Sequence, residues 1–333
     1  MKIKMMKIIL FLLAVFCFLS GGCGKKASEK KVYRVGILSG LNLFSGIANS
    51  FKENMKELGY IEGQNIIYDT QKTNFERDRE KQILRKFVDD KVDLIFGFNT
   101  EVALEAKEIT KGTDIPVIFA NAILEGINLV NNTKLPGGNM TGVRYPSPDV
   151  AVKRLEIMHE MIPQAKRIWL PYQKGYSSVP AELSVLQKSL SYLDVNLIPF
   201  PAENIEHLQA ELQRRNDLKD IGFDAVLLIP ESLSTTRECF DVIAKYTRDR
   251  KIPIGGSFVT TEDYGTVFAV TINNKEIGKR AAYLCDKVLK GEAAGNIPVV
   301  TPELHLKVNY KIAKQLGLDV PEGLLCVADE IIR

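Results

Sequence analysis

From residue 32 onwards, the chain alternates short apolar runs with segments in which apolar residues recur at helical spacing. Residues 32–38 form one such run, and Ile47, Phe51, Met55 and Leu58 follow at intervals of three or four residues. The first pattern predicts a buried strand and the second an amphipathic helix. Apolar strands that alternate with amphipathic helices are typical of a parallel sheet covered on both faces. The sequence therefore predicts an α/β fold.

This pattern runs through two arrays of similar size. The first array has predicted strands at 32–38, 65–68, 92–97 and 115–120 and predicted helices at 46–58, 76–88 and 101–109. The second has predicted helices at 150–161, 180–193, 205–217 and 235–249 and predicted strands at 167–170, 195–200, 225–229 and 252–255. A strand at 266–270, a helix at 275–289 and a tail with apolar segments at 304–308 and 312–316 complete the chain. Two such arrays predict two doubly wound parallel-sheet lobes.

Three extended segments are candidates for the crossings between these lobes. Residues 136–148 are rich in Gly and Pro and lack a helical period, which predicts the first crossing there. Residues 266–271 and 299–306 are extended and lie beside a Gly or Pro, and they are the predicted second and third crossings. The predicted lobes are 32–144 plus about 270–298 and 145–269 plus about 299–333.

The N-terminus has the features of an export signal. Lys2, Lys4 and Lys7 precede an apolar run at 8–19, and three small residues follow it. The run is shorter than the roughly 20 apolar residues that span a bilayer. We therefore predict a signal peptide over residues 1–22.

Cys23 directly follows the small residues that end this signal. Its position resembles that of the lipid-modified cysteine in a bacterial lipobox, although Ser20 stands where that pattern prefers an aliphatic residue. We predict lipidation of Cys23 and a polar tether over residues 23–31, which hold too few apolar side chains to fold alone. Plain secretion with a free cysteine is the alternative.

Charge argues against a nucleic-acid partner. The chain has 44 Lys and Arg residues against 41 Asp and Glu residues, and the three lysines of the signal account for the difference. The mature protein would be nearly neutral, without the broad basic surface that holds a phosphate backbone.

Motifs for catalysis or metal binding are missing from the sequence. After the signal and Cys23, three cysteines remain at long spacings, and the three histidines lie far apart. These spacings predict neither a disulfide scaffold nor a metal site. The sequence also lacks a GxSxG elbow and a Gly-rich phosphate loop after a strand. Binding without turnover, and without a cofactor, is the simplest interpretation.

Polar residues follow most of the predicted strands. In an open parallel sheet, ligands bind beyond the carboxyl ends of the strands, where helix N-termini present free N–H groups. Each such residue alone could equally serve as a helix cap. The predicted ligand-binding residues are Ser39, Asn42, Phe44, Asn99, Thr100, Asn121, Tyr176, Ser177, Ser178, Glu231, Ser232 and Ser257.

Several motifs occur in the order seen in one protein family. LGYIEGQNI at 58–66 and GNMTGV at 138–143 are the most specific, and IPVIF lies between them at 115–119. With shorter matches to residue 318, they resemble ABC transporter substrate-binding proteins whose better-known members bind tryptophan, tyrosine or phenylalanine. The resemblance implies a type I periplasmic-binding fold with two lobes and three crossings. It also implies delivery of a captured solute to a membrane permease, and no catalysis.

The resemblance also extends to individual site residues. Thr100 matches the family's threonine after the third strand, and Ser178 matches its serine after the first strand of the second lobe. This chain departs from the family at 122–124, where Ala-Ile-Leu replaces Thr-Asp-Pro, and at Glu231 and Ser232, where the family has Asp-Asn. The aromatic side chains available to stack on a ring are Phe44, Tyr176 and Phe258.

The resulting hypothesis is a monomeric, lipid-anchored solute-binding protein of an ABC importer, outside the cytoplasm. Cleft closure would trap a small polar solute, such as an amino acid. A carboxylate or similar acceptor would bind the N–H groups and hydroxyls near Thr100 and Ser178, and Glu231 would pair with an ammonium or other donor. The alternatives are a ligand-sensing subunit for a membrane receptor and an exported α/β enzyme.

Overall fold

The computed structural model describes residues 31–39, 45–73, 76–231, 233, 236–257 and 264–333. The predicted signal peptide and the tether up to residue 30 lie outside these ranges, and so do Cys23, Asn42, Phe44, Ser232 and Phe258.

The first lobe contains a five-stranded parallel sheet. Its strands are β1 (Tyr33–Ser39), β2 (Ile66–Lys72), β3 (Leu94–Phe98), β4 (Val117–Ala122) and β5 (Met140–Arg144). They lie in the order β2-β1-β3-β4-β5. The helices between them are α1 (Ser45–Glu57), α2 (Arg77–Asp89) and α3 (Thr100–Ile109).

Apolar side chains cover both faces of this sheet, because successive residues of a strand point to opposite faces. In β3, Phe96 and Phe98 belong to one apolar core, whereas Ile95 belongs to a second core on the other face. Phe51 of α1 stacks on Phe96 with 4.3 Å between the ring centroids. The continuous apolar runs in the sequence therefore reflect burial on two sides.

The second lobe repeats this design with a four-stranded parallel sheet. Its elements are α4 (Ser147–Met161), β6 (Arg167–Gln173), α5 (Val179–Leu193), β7 (Asn196–Ala202), α6 (Ile205–Asn216), β8 (Ala225–Leu227), α7 (Arg237–Arg248) and β9 (Ile254–Gly255). The strands lie in the order β7-β6-β8-β9. Trp169, the single tryptophan of the chain, is fully buried here and stacks on Phe223.

The C-terminal segments complete both lobes. They are β10 (Phe268–Ile272), α8 (Asn274–Leu289), a 3-10 turn (Ala294–Asn296), β11 (Leu304–Asn309), α9 (Tyr310–Gln315), α10 (Glu322–Val327) and β12 (Glu330–Ile332). β11 pairs antiparallel with β10 and parallel with β12. The predicted α/β class with two parallel-sheet lobes is confirmed.

The chain passes between the lobes three times, as the core contacts show. It leaves the first lobe after Val143, returns between Val270 and Ile272, and leaves again between Val299 and Leu306. The first and third crossings run side by side through a parallel bridge between Val143 and Val300. The finer lobe boundaries given above stay a prediction.

The predicted first crossing contains a strand. β5 lies inside the segment 136–148, for which only an extended crossing without a helical period was predicted, and it pairs with β4 along its whole length. A side chain at Gly142 would collide with the Phe119 carbonyl oxygen, so the glycine that signals a turn instead permits close strand packing. Two short elements of the tail, α10 and β12, were also not predicted. The other predicted helices and strands are present, with ends that differ by up to four residues.

Within the part of the chain that the structure describes, no helix combines the length and apolar character needed to cross a membrane.

Gly278 tests the packing of α8 on α1. A β-carbon at this position would lie against the Ile47 carbonyl oxygen and 2.8 Å from the Phe51 amide nitrogen, and helix backbone cannot easily move away. We expect Gly278→Ala to lower the free energy of unfolding by about 1–3 kcal/mol in urea titrations followed by far-UV circular dichroism.

Gly46→Ala is the matched control in the same pair of helices. Its β-carbon would lie 3.5 Å from the Asn274 β-carbon, which is ordinary contact. Gly46 is the second residue of α1, where helix propensity has little effect, so the free energy of unfolding should stay within about 0.5 kcal/mol of wild type. Equal effects of the two substitutions would contradict the proposed packing.

Candidate functional site

Polar residues gather at one edge of the first-lobe sheet. Ser39 ends β1, Asn99 and Thr100 follow β3, and Asn121 lies near the end of β4. These three strands are neighbours and parallel, so their carboxyl ends lie at the same edge. The structure thus brings four of the predicted residues to one edge.

Asn99 has an unusual backbone and an unpaired side-chain amide. Its φ of 87° lies in the left-handed region, which asparagine tolerates better than most residues. Its Oδ1 accepts a hydrogen bond from the Val102 amide at 3.1 Å and so caps α3. Its Nδ2 is buried and has no partner among the described residues. A buried donor of this kind needs an explanation, and a bound solute is one.

Thr100 connects the ends of β3 and β4. Its hydroxyl oxygen accepts a hydrogen bond from the Ile123 amide at 3.0 Å, which leaves the hydroxyl proton able to donate. The side chain is nearly buried in the first turn of α3, where free N–H groups favour a negative charge. Thr100 and Asn99 together therefore suit a carboxylate.

The second lobe presents Tyr176, Ser177 and Ser178 between β6 and α5. Ser178 is fully buried, and its Oγ forms no hydrogen bond of normal geometry with the described residues. A β-carbon on Gly126, which follows β4 of the first lobe, would lie 3.8 Å from the Ser177 carbonyl oxygen. The two lobes therefore approach each other beside this segment.

Tyr176 lies where charges of both lobes meet. Burial raises the pKa of its phenol, and the nearby carboxylates of Glu101, Glu231 and Glu182 raise this pKa further. Glu101 belongs to α3 of the first lobe, whereas the other two belong to the second. The Tyr176 ring thus borders the space between the lobes.

Glu231 holds two loops of the second lobe together. Its side chain is almost fully buried after β8, and its Oε2 accepts hydrogen bonds from the amides of Gln173 at 3.0 Å and Leu233 at 2.7 Å. These contacts give Glu231 a role in positioning the strand ends. Its predicted role as partner of a solute ammonium stays a prediction.

Glu182 is a buried acid that sequence reasoning missed. It lies one helical turn after Ser178 on α5, so both side chains share a face of the helix. Its Oε1 accepts a hydrogen bond from the Ser147 hydroxyl, whereas its Oε2 is buried without a partner among the described residues. Burial raises the pKa of Glu182 to about 7, although Ser147, Ser178 and Arg154 act in the opposite direction. The four-residue spacing from Ser178 was the available signal.

Arg154 is the cation whose charge acts on Glu182. It is 2% exposed, and it donates from Nε to the Val270 carbonyl at 3.0 Å and from Nη1 to the Leu228 carbonyl at 2.8 Å. Burial lowers its pKa, and the neighbouring acids Glu182 and Glu231 oppose that effect. Two of its donor groups are thus occupied by main-chain carbonyls.

Arg144 joins the lobes at the first crossing. Its guanidinium contacts Glu125 of the first lobe, Asp149 in the first turn of α4 and the Thr301 hydroxyl near the third crossing. The distances to Asp149 and Thr301 are 3.0 and 2.8 Å. One side chain therefore links the two lobes and two of the crossings.

Four predicted residues remain. Ser257 is buried after β9, at the same edge of the second sheet as Glu231. Asn42, Phe44 and Ser232 lie outside the described residues. Among the residues that the structure describes, no group of histidine, cysteine and acidic side chains could hold a metal ion.

Comparison with known proteins agrees with this two-lobed arrangement. Residues 38–332 match the family described as ABC transporter substrate binding protein. A tyrosine-binding protein of Clostridioides difficile (strain R20291) is 28% identical over 300 residues, which cover 88% of this chain and 84% of that protein.

Two solved structures share the fold at lower identity. One is an ABC domain in complex with L-Trp from Streptococcus pneumoniae, with a TM-score of 0.77 and 22% identity, covering 91% of this chain and all of the other. The second is a ligand-free, open substrate-binding protein with adhesive properties from Clostridium difficile, with a TM-score of 0.73 and 22% identity, covering 90% and 99% of the two chains.

The protonation of Glu182 makes stability depend on pH. The folded protein holds this proton up to about pH 7, whereas the unfolded chain loses it near pH 4.5, the ordinary pKa of a glutamate. The folded state therefore binds more protons in this window, and the stability contributed by Glu182 falls as pH rises through it. Relative to wild type, ligand-free Glu182→Gln should gain roughly 3 kcal/mol of stability between pH 4.5 and 7.5.

Urea unfolding followed by the fluorescence of Trp169 measures this change in the lobe that contains Glu182. Glu160→Gln, an exposed acid on α4, is the control and should follow the wild-type pH dependence. A pH-independent difference between Glu182→Gln and wild type would show that Glu182 does not titrate in this range.

Proposed function

The chain belongs to the ABC transporter substrate-binding protein family, and from this we propose that it captures an amino acid, preferably an aromatic one, and delivers it to a membrane permease. The family resemblance deduced from the sequence motifs is confirmed. Proteins of this family bind substrates outside the cytoplasm and are not enzymes. The chemistry of the cleft supports the choice of solute.

The main support for this proposal is that both lobes have polar atoms without a hydrogen-bond partner among the described residues. The Asn99 amide and the Thr100 hydroxyl offer donors on the first lobe, and the first turn of α3 adds a favourable field for an anion. Across from them, Ser178 and the acids around it offer acceptors. A zwitterion satisfies both sets at once, and the binding free energy of these contacts would favour closure of the lobes.

Tyr176 borders the space between the lobes and supports an aromatic side chain on the solute. Tyr176 is half-buried against the second-lobe core and presents a ring beside the facing lobe. Aromatic pairs gain about 0.5–1.5 kcal/mol beyond area burial. Two relatives agree with this choice, since one is named a tyrosine-binding protein and another was solved with L-Trp.

Thermal-shift measurements on the protein test the solute class. We expect L-tyrosine, L-tryptophan or L-phenylalanine to raise the melting temperature, with about 2.7 kcal/mol of added stability at a concentration of 100 Kd. Sugars and nucleosides should have no effect. If no amino acid stabilises the protein, the proposed solute class is wrong.

Thr100→Val tests the proposed carboxylate site. The substitution preserves shape and removes the hydroxyl, so the affinity measured by titration calorimetry for the stabilising amino acid should fall about tenfold or more. Thr133→Val, an exposed position in the same lobe, is the matched control and should bind like wild type. Unchanged affinity of Thr100→Val would remove this residue from the site.

Lipid anchoring at Cys23 is a further part of the proposal. Cys23→Ser should move the protein from the membrane fraction to the soluble fraction and abolish incorporation of labelled fatty acid. Cys326→Ser, an exposed cysteine in the C-terminal helix α10, is the control and should stay in the membrane fraction. Membrane retention of Cys23→Ser would contradict the lipoprotein assignment.

A further inference from the structure

Two buried polar atoms on one face of α5 have no hydrogen-bond partner among the described residues. They are the Ser178 Oγ and the Glu182 Oε2, and both residues are 0% exposed. Leaving a buried acceptor unpaired costs about 1–3 kcal/mol, and more for a charged group. Ser178 also stabilises the ionised form of Glu182, so the two groups interact with each other. Neither atom has a hydrogen bond of normal geometry, and together they offer a place for a donor group of a solute.

The partner should carry positive charge, as the surroundings of Glu182 indicate. The groups that face it are Arg154 on α4, Glu231 after β8, Tyr145 at the first crossing and Tyr176 before α5. Arg154 alone among them is a cation, and main-chain carbonyls occupy two of its donor groups. The cluster thus contains two acids and one cation, so it has room for a second positive charge.

The cluster borders the space where a solute would be enclosed. Tyr176 interacts both with Glu182 and with Glu101 of the opposite lobe. Ser177, between Tyr176 and Ser178, is the residue that comes close to Gly126 of the first lobe. The open acceptor atoms therefore lie next to the contact between the lobes, not deep within the second-lobe core.

Glu231 is less suited than Glu182 to bind a positively charged group of a solute. Its Oε2 already accepts hydrogen bonds from two main-chain amides, which fix the ends of two loops. Glu182 accepts one hydrogen bond through Oε1 and retains its other oxygen. The two acids thus differ in how much of the carboxylate a solute could use.

We propose that Glu182, with Ser178 beside it, binds the protonated amine of the captured solute and sets the specificity for that group. This inference rests on the proposed amino-acid function. It moves the ammonium from Glu231 to Glu182, and it moves Ser178 from the carboxylate, where the sequence analysis placed it, to the ammonium. In the free protein near neutral pH, the Glu182 carboxyl carries a proton for part of the time. When the ammonium binds, the carboxylate pairs with it and the proton leaves to solvent.

Titration calorimetry with matched ligands tests the proposal. The probes are L-tyrosine and L-tryptophan, together with 3-(4-hydroxyphenyl)propionate and 3-(indol-3-yl)propionate, which lack only the amine. For wild type, affinity for the bound amino acid should rise roughly tenfold from pH 6 to pH 8 as the carboxyl ionises. Glu182→Gln should lose at least tenfold in amino-acid affinity and lose this pH dependence, while it binds the analogues as wild type does. Glu160→Gln is the control and should match wild type throughout.

Proton release provides a second readout that needs no variant. Amino-acid binding to wild type at pH 7, measured in buffers of different ionisation enthalpy, should release about half a proton because the carboxyl is half-ionised there. The deaminated analogues should release none. Absence of release, or a Glu182→Gln variant that still prefers amino acids to the analogues, overturns the proposal.

A failure of the proposed function gives a different result. If wild type binds no amino acid, the same measurements are made with tyramine, tryptamine and putrescine. Binding of one of these amines that Glu182→Gln abolishes would support the role of Glu182 and reject the amino-acid assignment. Binding of no amine at all would overturn both.

Discussion

Parallel strand pairing is the constraint on which the site depends. Because β1, β3 and β4 run in one direction side by side, the residues that follow them must lie at one edge of the first sheet. In the second sheet, the residues that follow β6, β8 and β9 lie at one edge for the same reason. Loops at these edges carry the polar groups, while apolar cores pack against the strands behind them.

The periodicity of apolar residues was sufficient to predict the strands of both sheets except β5. It also predicted that Thr100 and Ser178 follow strand ends, and the structure places them there, while their role in binding stays a prediction. β5 was missed because its glycine, needed for close packing against Phe119, has the same appearance in sequence as a turn glycine. Short elements such as β12 lack enough residues for any period to be seen.

The buried charges could not be predicted in this way. Glu182 and Arg154 lie inside helices, where a charged residue in sequence normally indicates a solvated face. Their burial depends on the packing of α4 against α5, and Arg154 also needs the carbonyl groups of Val270 in β10 and of Leu228, which follows β8. Such partners are distant in sequence, so the arrangement becomes visible only in the folded chain.

The paired crossings limit how the two halves can move. The Val300 amide donates to the Gly142 carbonyl, and the Arg144 amide donates to the Val300 carbonyl, each at 2.9 Å. If the first crossing slid along the third, both hydrogen bonds would break, whereas a bend of the two crossings together would keep them. The paired crossings therefore favour a hinge rotation of the lobes over a sliding motion. In a rotation about this region, atoms near Arg144 would move little and atoms at the outer rims would move far, so the rims would change position most between two orientations of the lobes.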